Sequence, residues 1–220
     1  MFLKTEGMNG TGLTLSGNLF SQLRKDILRG KLKAGEKLSE QQVCDAYGVS
    51  RTPVRETFRQ LEQEGLIETI PNRGAFVVGL SSRDVQDLYE MRKAFEVIGV
   101  RWAIQRITKE ELEKLKEAYE FMEFYTLKED TEKMLNINMS FHELIYQAAH
   151  NRMLAHTLYV YQLYIKETKA NSVYLDGKLE EVLNEHKKIL DAFVRKDIEA
   201  GEEAITLHLE NAKKRAKVCY

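Results

Sequence analysis

Residues 39–78, SEQQVCDAYGVSRTPVRETFRQLEQEGLIETIPNRGAFVV, decide how this chain folds. The stretch divides into two short helical patterns and a pair of β-prone runs. Ser39 can cap the first helix, with Gln42 three residues on to complete a capping box. Val43, Ala46 and Tyr47 supply the apolar side of that helix, and Gly48 breaks it. Ser50 can cap the second, and Pro53 falls inside its first turn, where the loss of an N–H costs little. Val54, Phe58 and Leu61 recur at helical spacing and are expected to face inward. Arg51, Arg55 and Arg59 recur every fourth residue and form a separate stripe, with Ser50 and Thr52 beside its N-terminal end. Gly65 stops the helix. LIETI (66–70) and AFVV (75–78) then flank the turn cluster Pro71-Asn72-Arg73-Gly74, which predicts a hairpin with a basic tip at Arg73.

On an isolated helix, an arginine at every fourth position is usually a solvated face. Placed after a helix–turn and before a basic-tipped hairpin, the same stripe completes a winged helix-turn-helix, which points to DNA. Free N–H groups at a helix start attract phosphate, and a guanidinium can grip guanine through two parallel hydrogen bonds. The segment resembles the DNA-binding domain of the GntR family of bacterial transcription regulators from about Phe20 to Val78. LRKDILRGKLKAGEKLSE (23–40), YGVSRTPVRETFRQLEQEGLIE (47–68) and PNRGAFV (71–77) carry that resemblance. It implies that Ser50, Arg51, Thr52 and Arg55 contact the operator, and that Gly74 at the wing tip approaches the minor groove. The chain departs from some members of the family, the fatty-acid-responsive one included, by having Gln41 where they place an operator-contacting arginine.

The chain has 220 residues, room for two modest domains. With 43% hydrophobic and 30% charged residues its composition is that of a globular protein, and no apolar run approaches membrane-span length. MFLKTEGMNGTG (1–12) lacks a signal-peptide core, and two cysteines, Cys44 and Cys219, suggest no disulfide framework, so the expected location is cytoplasmic. A net charge of −1 argues against a protein that coats nucleic acid along its length. Up to Val78 there are eleven Lys/Arg against nine Asp/Glu, so specific binding is expected to use two copies of a weakly basic patch, in a homodimer.

Residues 1–14 read as a loose arm of an N-terminal domain ending near residue 79. Ser16 can cap a helix bearing Leu19, Leu23 and Ile27, and Leu80-Ser81-Ser82 forms a short junction. From Ser82 the pattern is helix after helix, which predicts an all-helical antiparallel bundle over residues 80–220. The fold class is thus mainly α: a winged helix-turn-helix followed by a bundle. Val85, Leu88, Ala94 and Val97 are apolar positions of the first bundle helix. Thr108 and Glu111 form a capping box, Asp130 or Thr131 opens a third helix, and Leu154, Leu158, Tyr161 and Tyr164 mark a fourth. A turn is expected at Tyr174–Gly177, and Asp197 caps the last helix.

Of five histidines, His142, His186 and His208 fall where the apolar pattern points inward, on three different helices, with Asn138 four residues before His142 on the same face. Such histidines are either hydrogen-bonded packing residues or a nitrogen site for Zn²⁺, Ni²⁺ or a similar ion. His150 and His156 do not fit the cluster and are expected to be structural. Residues 83–215 resemble the FCD effector-binding domain of the FadR subgroup of GntR regulators, through LYEMRKAFE (88–96), MSFHELIYQAAHN (139–151) and EHKKILDAFVRKDIEA (185–200) with a later histidine. The resemblance implies a divalent metal held by an Asp, a His four residues later, and two further histidines. His142, His186 and His208 match, while Asn138 stands at the Asp position. Arg92 and Arg101 lie on the first bundle helix, where the FCD pattern carries an Arg in LYEMR; either one of them pairs with a small carboxylate effector, or they are solvent-exposed or form dimer salt bridges. The expected function is ligand-responsive transcription regulation, as a repressor. A metal-dependent enzyme acting on a small organic acid and a ligand-free architectural DNA-binding dimer are the rival readings. No Glu, Asp or Tyr stands out by spacing as the general base that an enzyme would need.

Overall fold

The computed structural model describes residues 15–168 and 178–216. The arm expected at 1–14, the turn expected at Tyr174–Gly177 and Cys219 lie outside the described residues. The chain divides between Ser81 and Ser82 into two compact units.

In the first unit, helix α1 (Leu15–Leu28) buries Leu19, Leu23 and Ile27 and lies against α3. Helix α2 (Glu40–Tyr47) is capped by Ser39, whose hydroxyl accepts from the Gln42 N–H at 3.4 Å. Gly48 closes it with φ 64°, a left-handed conformation that a side chain would strain. Helix α3 (Arg51–Gln63) buries Val54, Thr57, Phe58 and Leu61 and leaves Arg51, Thr52, Arg55 and Arg59 exposed, so the two faces separate as the spacing predicts. Ser50 occupies the N-cap position in extended conformation, yet its hydroxyl makes no capping bond.

The hairpin forms between strands β2 (Ile67–Ile70) and β3 (Gly74–Val77), with Asn72 at φ 62° in the turn. A third strand, β1 (Lys37–Leu38), was not anticipated. It pairs antiparallel with Phe76 and Ala75, giving the order β1-β3-β2. Two residues are too few to show a period of two, so β1 exists only because β3 offers it an edge.

The second unit is all helical among its described residues: α4 (Ser82–Arg106), α5 (Lys109–Leu127), α6 (Thr131–Ala148), α7 (Arg152–Glu167), α8 (Leu179–Arg195) and α9 (Ile198–Ala216). Its boundaries follow local chemistry. Thr108 and Glu111 complete a reciprocal capping box at 3.2 and 2.8 Å; Asp130, Asn151 and Asp197 each accept a backbone N–H at the start of the next helix. Helix α4 packs on α9 and α6, α5 on α6 and α8, and α8 on α9. The approach of α9 to α4 is close at Gly201, where a Cβ would stand 2.4 Å from Ile104 Cδ1.

The buried stripe of α4 differs from the apolar pattern. Ala94 is exposed and Val97 only half-buried, whereas Arg92 and Glu96 are inside at 6% and 1% exposure. On α7, likewise, Gln162 and Ile165 are buried rather than Tyr161 and Tyr164. In both helices a polar residue has taken a core position because the core contains a polar centre.

Candidate functional site

Two sets of side chains converge, one in each unit. In the first, the exposed end of α3 is organised by the start of α2. Arg55 Nε donates to both carboxylate oxygens of Glu40 at 3.0 Å, and Arg51 Nη2 donates to Gln41 Oε1 at 3.0 Å. Gln41 in turn donates to Asp45 Oδ1 at 2.8 Å, so it holds Arg51 while being held itself. Arg59 forms a two-point pair with Glu56 at 3.1 and 2.7 Å. These pairs are exposed, and their value lies in fixing the guanidinium planes rather than in stability.

The wing tip faces the same groove. Arg55, Arg59, Lys37, Asn72, Arg73 and Gly74 line it, with Arg73 exposed and its guanidinium carbon 5.8 Å from the Phe76 ring. Gly74 has φ 102°, and a Cβ there would meet Lys37 Cε at 3.2 Å. Ser50, Arg51 and Thr52 are exposed at the helix start. A helix N-terminus, free hydroxyls and aligned guanidinium groups together can accept phosphates and address base edges. The participation of Glu40 and Lys37 was not evident from spacing, because both act across elements.

In the second unit His142 on α6, His186 on α8 and His208 on α9 do come together, fully buried, with one ligand atom from each lying within 4.8 Å of the others. Their rings stand edge to face or stacked, with centroids 4.5–5.3 Å apart. Each Nδ1 is already engaged: His142 with Glu96 Oε2 at 3.0 Å, His186 with the Val182 carbonyl at 2.7 Å, His208 with Glu185 Oε2 at 2.8 Å. All three partners are acceptors, so in the neutral ring the proton sits on Nδ1 and the lone pair on Nε2. His142 Nε2 and His186 Nε2 face each other at 3.3 Å. Two lone pairs at that distance repel unless a cation stands between them. Nitrogens bound at about 2.0–2.1 Å to one tetrahedral ion would be about 3.3–3.4 Å apart.

The electrostatics prepare the rings as ligands. Burial, with His208 and His142 nearby, pushes the His186 pKa well below the usual imidazole range, and burial pushes His208 down to about 4 against the pull of Glu185. Both are therefore neutral at pH 7. Burial would raise the Glu96 carboxyl, but the Arg92 guanidinium and His142 overcome it and hold the group well below the ordinary range. Glu96 accepts from Arg92 Nε at 2.5 Å and from the Tyr146 hydroxyl at 2.6 Å. Glu185 is held at about 2, burial being overcome by Arg215, His208 and Asn211, whose groups surround both its oxygens. Arg215 thus belongs to this network.

Asn138 has its Oδ1 buried and unpaired. It lines a narrow cavity, about 30 Å³, together with His208, Arg92, Gln162 and Lys166. Three convergent imidazole nitrogens, with an orphaned amide oxygen on a cavity that His208 also lines, fit a divalent ion of the nitrogen-preferring kind. Arg101 is elsewhere. It is half-exposed, ion-paired with Glu202, and not part of the cavity wall. Its position nine residues from Arg92, about two and a half turns along α4, puts it on the opposite face of the helix. His150 pairs with Glu111 at 2.9 Å and His156 is exposed, so neither joins the cluster. The carboxylates that orient the rings were missed. For Glu96 a signal existed, since Arg92 and Glu96 are four apart on one helix. For Glu185 there was none, because its neighbour His186 occupies a different face.

Comparison with known proteins identifies the family of each unit. The model of the bacterial regulatory proteins of the gntR family matches residues 15–77, and that of the FCD domain matches residues 87–211. The uncharacterized HTH-type transcriptional regulator YdhC of Bacillus subtilis is 32% identical over 194 residues, spanning 87% of this chain and 86% of that protein. The HTH-type transcriptional repressor RspR of Escherichia coli is 28% identical, over 87% of this chain and 84% of its own length. Among solved structures, E. coli McbR/YncC superposes with a TM-score of 0.69 at 22% identity, covering 90% and 94% of the two chains, a likeness of fold. Among the described residues no helix is long and apolar enough to cross a membrane. With the FCD match alone covering more than half of its length, the chain belongs to the GntR family of bacterial transcription regulators, its matched families and relatives being regulators rather than enzymes, and carries an FCD domain as its second unit.

Proposed function

We propose that this protein is a cytoplasmic, ligand-responsive repressor that binds operator DNA as a homodimer. In this reading Ser50, Arg51, Thr52, Arg55, Arg73 and Gly74 form the DNA-contacting face of a domain ending near residue 79. His142, His186, His208 and Asn138, in the domain from residue 80 onward, hold a divalent ion, Zn²⁺ or Ni²⁺. The observation that carries it is the convergence of His142, His186 and His208, the first two with Nε2 atoms 3.3 Å apart, together with an orphaned Asn138 oxygen on a cavity that His208 also lines. The repressor sense is supported by relatives named as repressors, RspR and the galactonate operon repressor of E. coli among them.

A small carboxylate suits the cavity because its ionic lining residues are Arg92 and Lys166, with no carboxylate among the described ones. A bound divalent ion supplies Lewis-acid attraction for that anion. The chain's own residues supply the rest: Arg92 faces the cavity while Glu96 fixes its Nε, and the same Glu96 orients His142. Both residues lie on α4, which begins at Ser82, directly after the first unit ends. A shift of α4 on ligand binding is therefore delivered to the junction, and with it to the separation of the two recognition helices, which must match successive major grooves about 34 Å apart. The ligand changes operator affinity only by preferring one arrangement over the other.

The test is elemental analysis of purified protein after incubation with Zn²⁺ or Ni²⁺. Close to one ion per chain is expected, with depletion in His142→Ala, His186→Ala and His208→Ala. No bound metal in the wild type overturns the reading. An architectural dimer is distinguished by the absence of any rise in melting temperature with small carboxylates.

A further inference from the structure

We propose that Gln162 reads a hydroxyl group on the effector, so that the cavity selects hydroxycarboxylates over the same acids lacking the hydroxyl. The proposal rests on the metal-and-carboxylate reading above and names what that reading leaves open. Gln162, on α7, is 4% exposed and lines the cavity with Asn138, Arg92, Lys166 and His208. Its Nε2 donates to the Met139 carbonyl at 3.0 Å, while its Oε1 is buried with no donor. Rotating the amide would not cure this. It would set Oε1 against the Met139 carbonyl, two acceptors face to face, so the backbone of α6 fixes which end of the amide is left over.

A buried acceptor without a donor is costly, and a native core tolerates it where something else supplies the hydrogen. Two such oxygens line this cavity. That of Asn138 is accounted for by an ion; an ion already bound by three imidazoles leaves the Gln162 oxygen, on another helix, still asking for a donor. The donor on the ligand is either a hydroxyl or an ammonium. An ammonium would add positive charge beside Arg92, Lys166 and a divalent ion in a wall with no carboxylate among the described residues. A neutral hydroxyl satisfies Gln162 without that cost. The cavity, about 30 Å³, has room for about two water molecules, so a ligand must widen it and a short one does so least.

The experiment is calorimetric titration of full-length, Zn²⁺-loaded protein with two matched pairs of probes, glycolate against acetate and lactate against propionate. Wild type is expected to bind the hydroxy acid of each pair at least about tenfold more tightly. In Gln162→Met, which keeps length and burial but loses the acceptor, the preference should fall to within about twofold, with acetate and propionate affinities unchanged. Equal binding within each pair by the wild type overturns the role of Gln162 while sparing the carboxylate reading. A preference that survives in Gln162→Met also overturns it, because the hydroxyl is then read elsewhere. If neither member of either pair binds, the carboxylate reading fails and this assignment with it. Gln162→Leu provides a second variant should the methionine form fold poorly, since its melting temperature reports separately on the lost Met139 bond.

Discussion

Replacing Glu96 by glutamine tests the polar centre most directly, because this one carboxylate serves three partners. Its side chain is fully buried, and that of Arg92 is 8% exposed. At a charge separation of about 3 Å and an effective dielectric of about 20, the Glu96–Arg92 attraction is about 5 kcal/mol, against which desolvation of both groups must be set. Removing the negative partner leaves a guanidinium buried alone, a situation that costs about 3–5 kcal/mol. The same change replaces the anionic acceptor at His142 Nδ1 by a neutral amide, which should weaken metal binding by about 10–100-fold. Urea denaturation of metal-stripped protein measures the first effect and competitive titration with a chelator the second. The double variant Glu96→Gln with Arg92→Met separates them: stability should largely return once no charge is stranded, while metal affinity stays low. A stability loss below about 1 kcal/mol for Glu96→Gln, or metal affinity restored in the double variant, would refute the reasoning.

Two further outcomes follow from the geometry. Arg51→Ala and Arg55→Ala should each weaken specific operator binding by about 1–3 kcal/mol at fixed salt if they address bases; unchanged gel-shift titrations would remove them from the interface. In the metal-stripped protein His208 has a folded pKa lowered to about 4 from 6.5, so the unfolded chain takes the proton first as pH falls. Stability should then be fully present above about pH 6.5 and be lost progressively towards pH 4, by an amount on the order of 3 kcal/mol. Flat urea midpoints between pH 7.5 and 5 would contradict the burial of a neutral imidazole, and added Zn²⁺ should steepen the dependence because protons compete with it.

The first unit was legible to within a residue or two at most boundaries. Ser39, Gly48, Pro53, Gly65 and the Pro71–Gly74 turn are local signals, each acting through backbone chemistry within a few residues of itself. The separation of α3 into a buried face and an arginine stripe needed only a period of 3.6. The strand β1 and the Glu40–Arg55 clamp were not legible, since each exists only where two elements meet.

In the second unit the helices and their caps could be read, but not which of their polar residues go inside. Apolar periodicity on α4 pointed to Ala94 and Val97, whereas Arg92 and Glu96 are buried because each neutralises the other and both face the histidines. What the chain determines by itself is the order of elements, the two-unit plan and the inward positions of His142, His186 and His208. What only tertiary structure decides is which further groups surround them: Glu96 from α4, Glu185 from α8 and Gln162 from α7. Burial penalises a polar group one residue at a time, and the partners that offset the penalty are brought by packing from distant parts of the sequence.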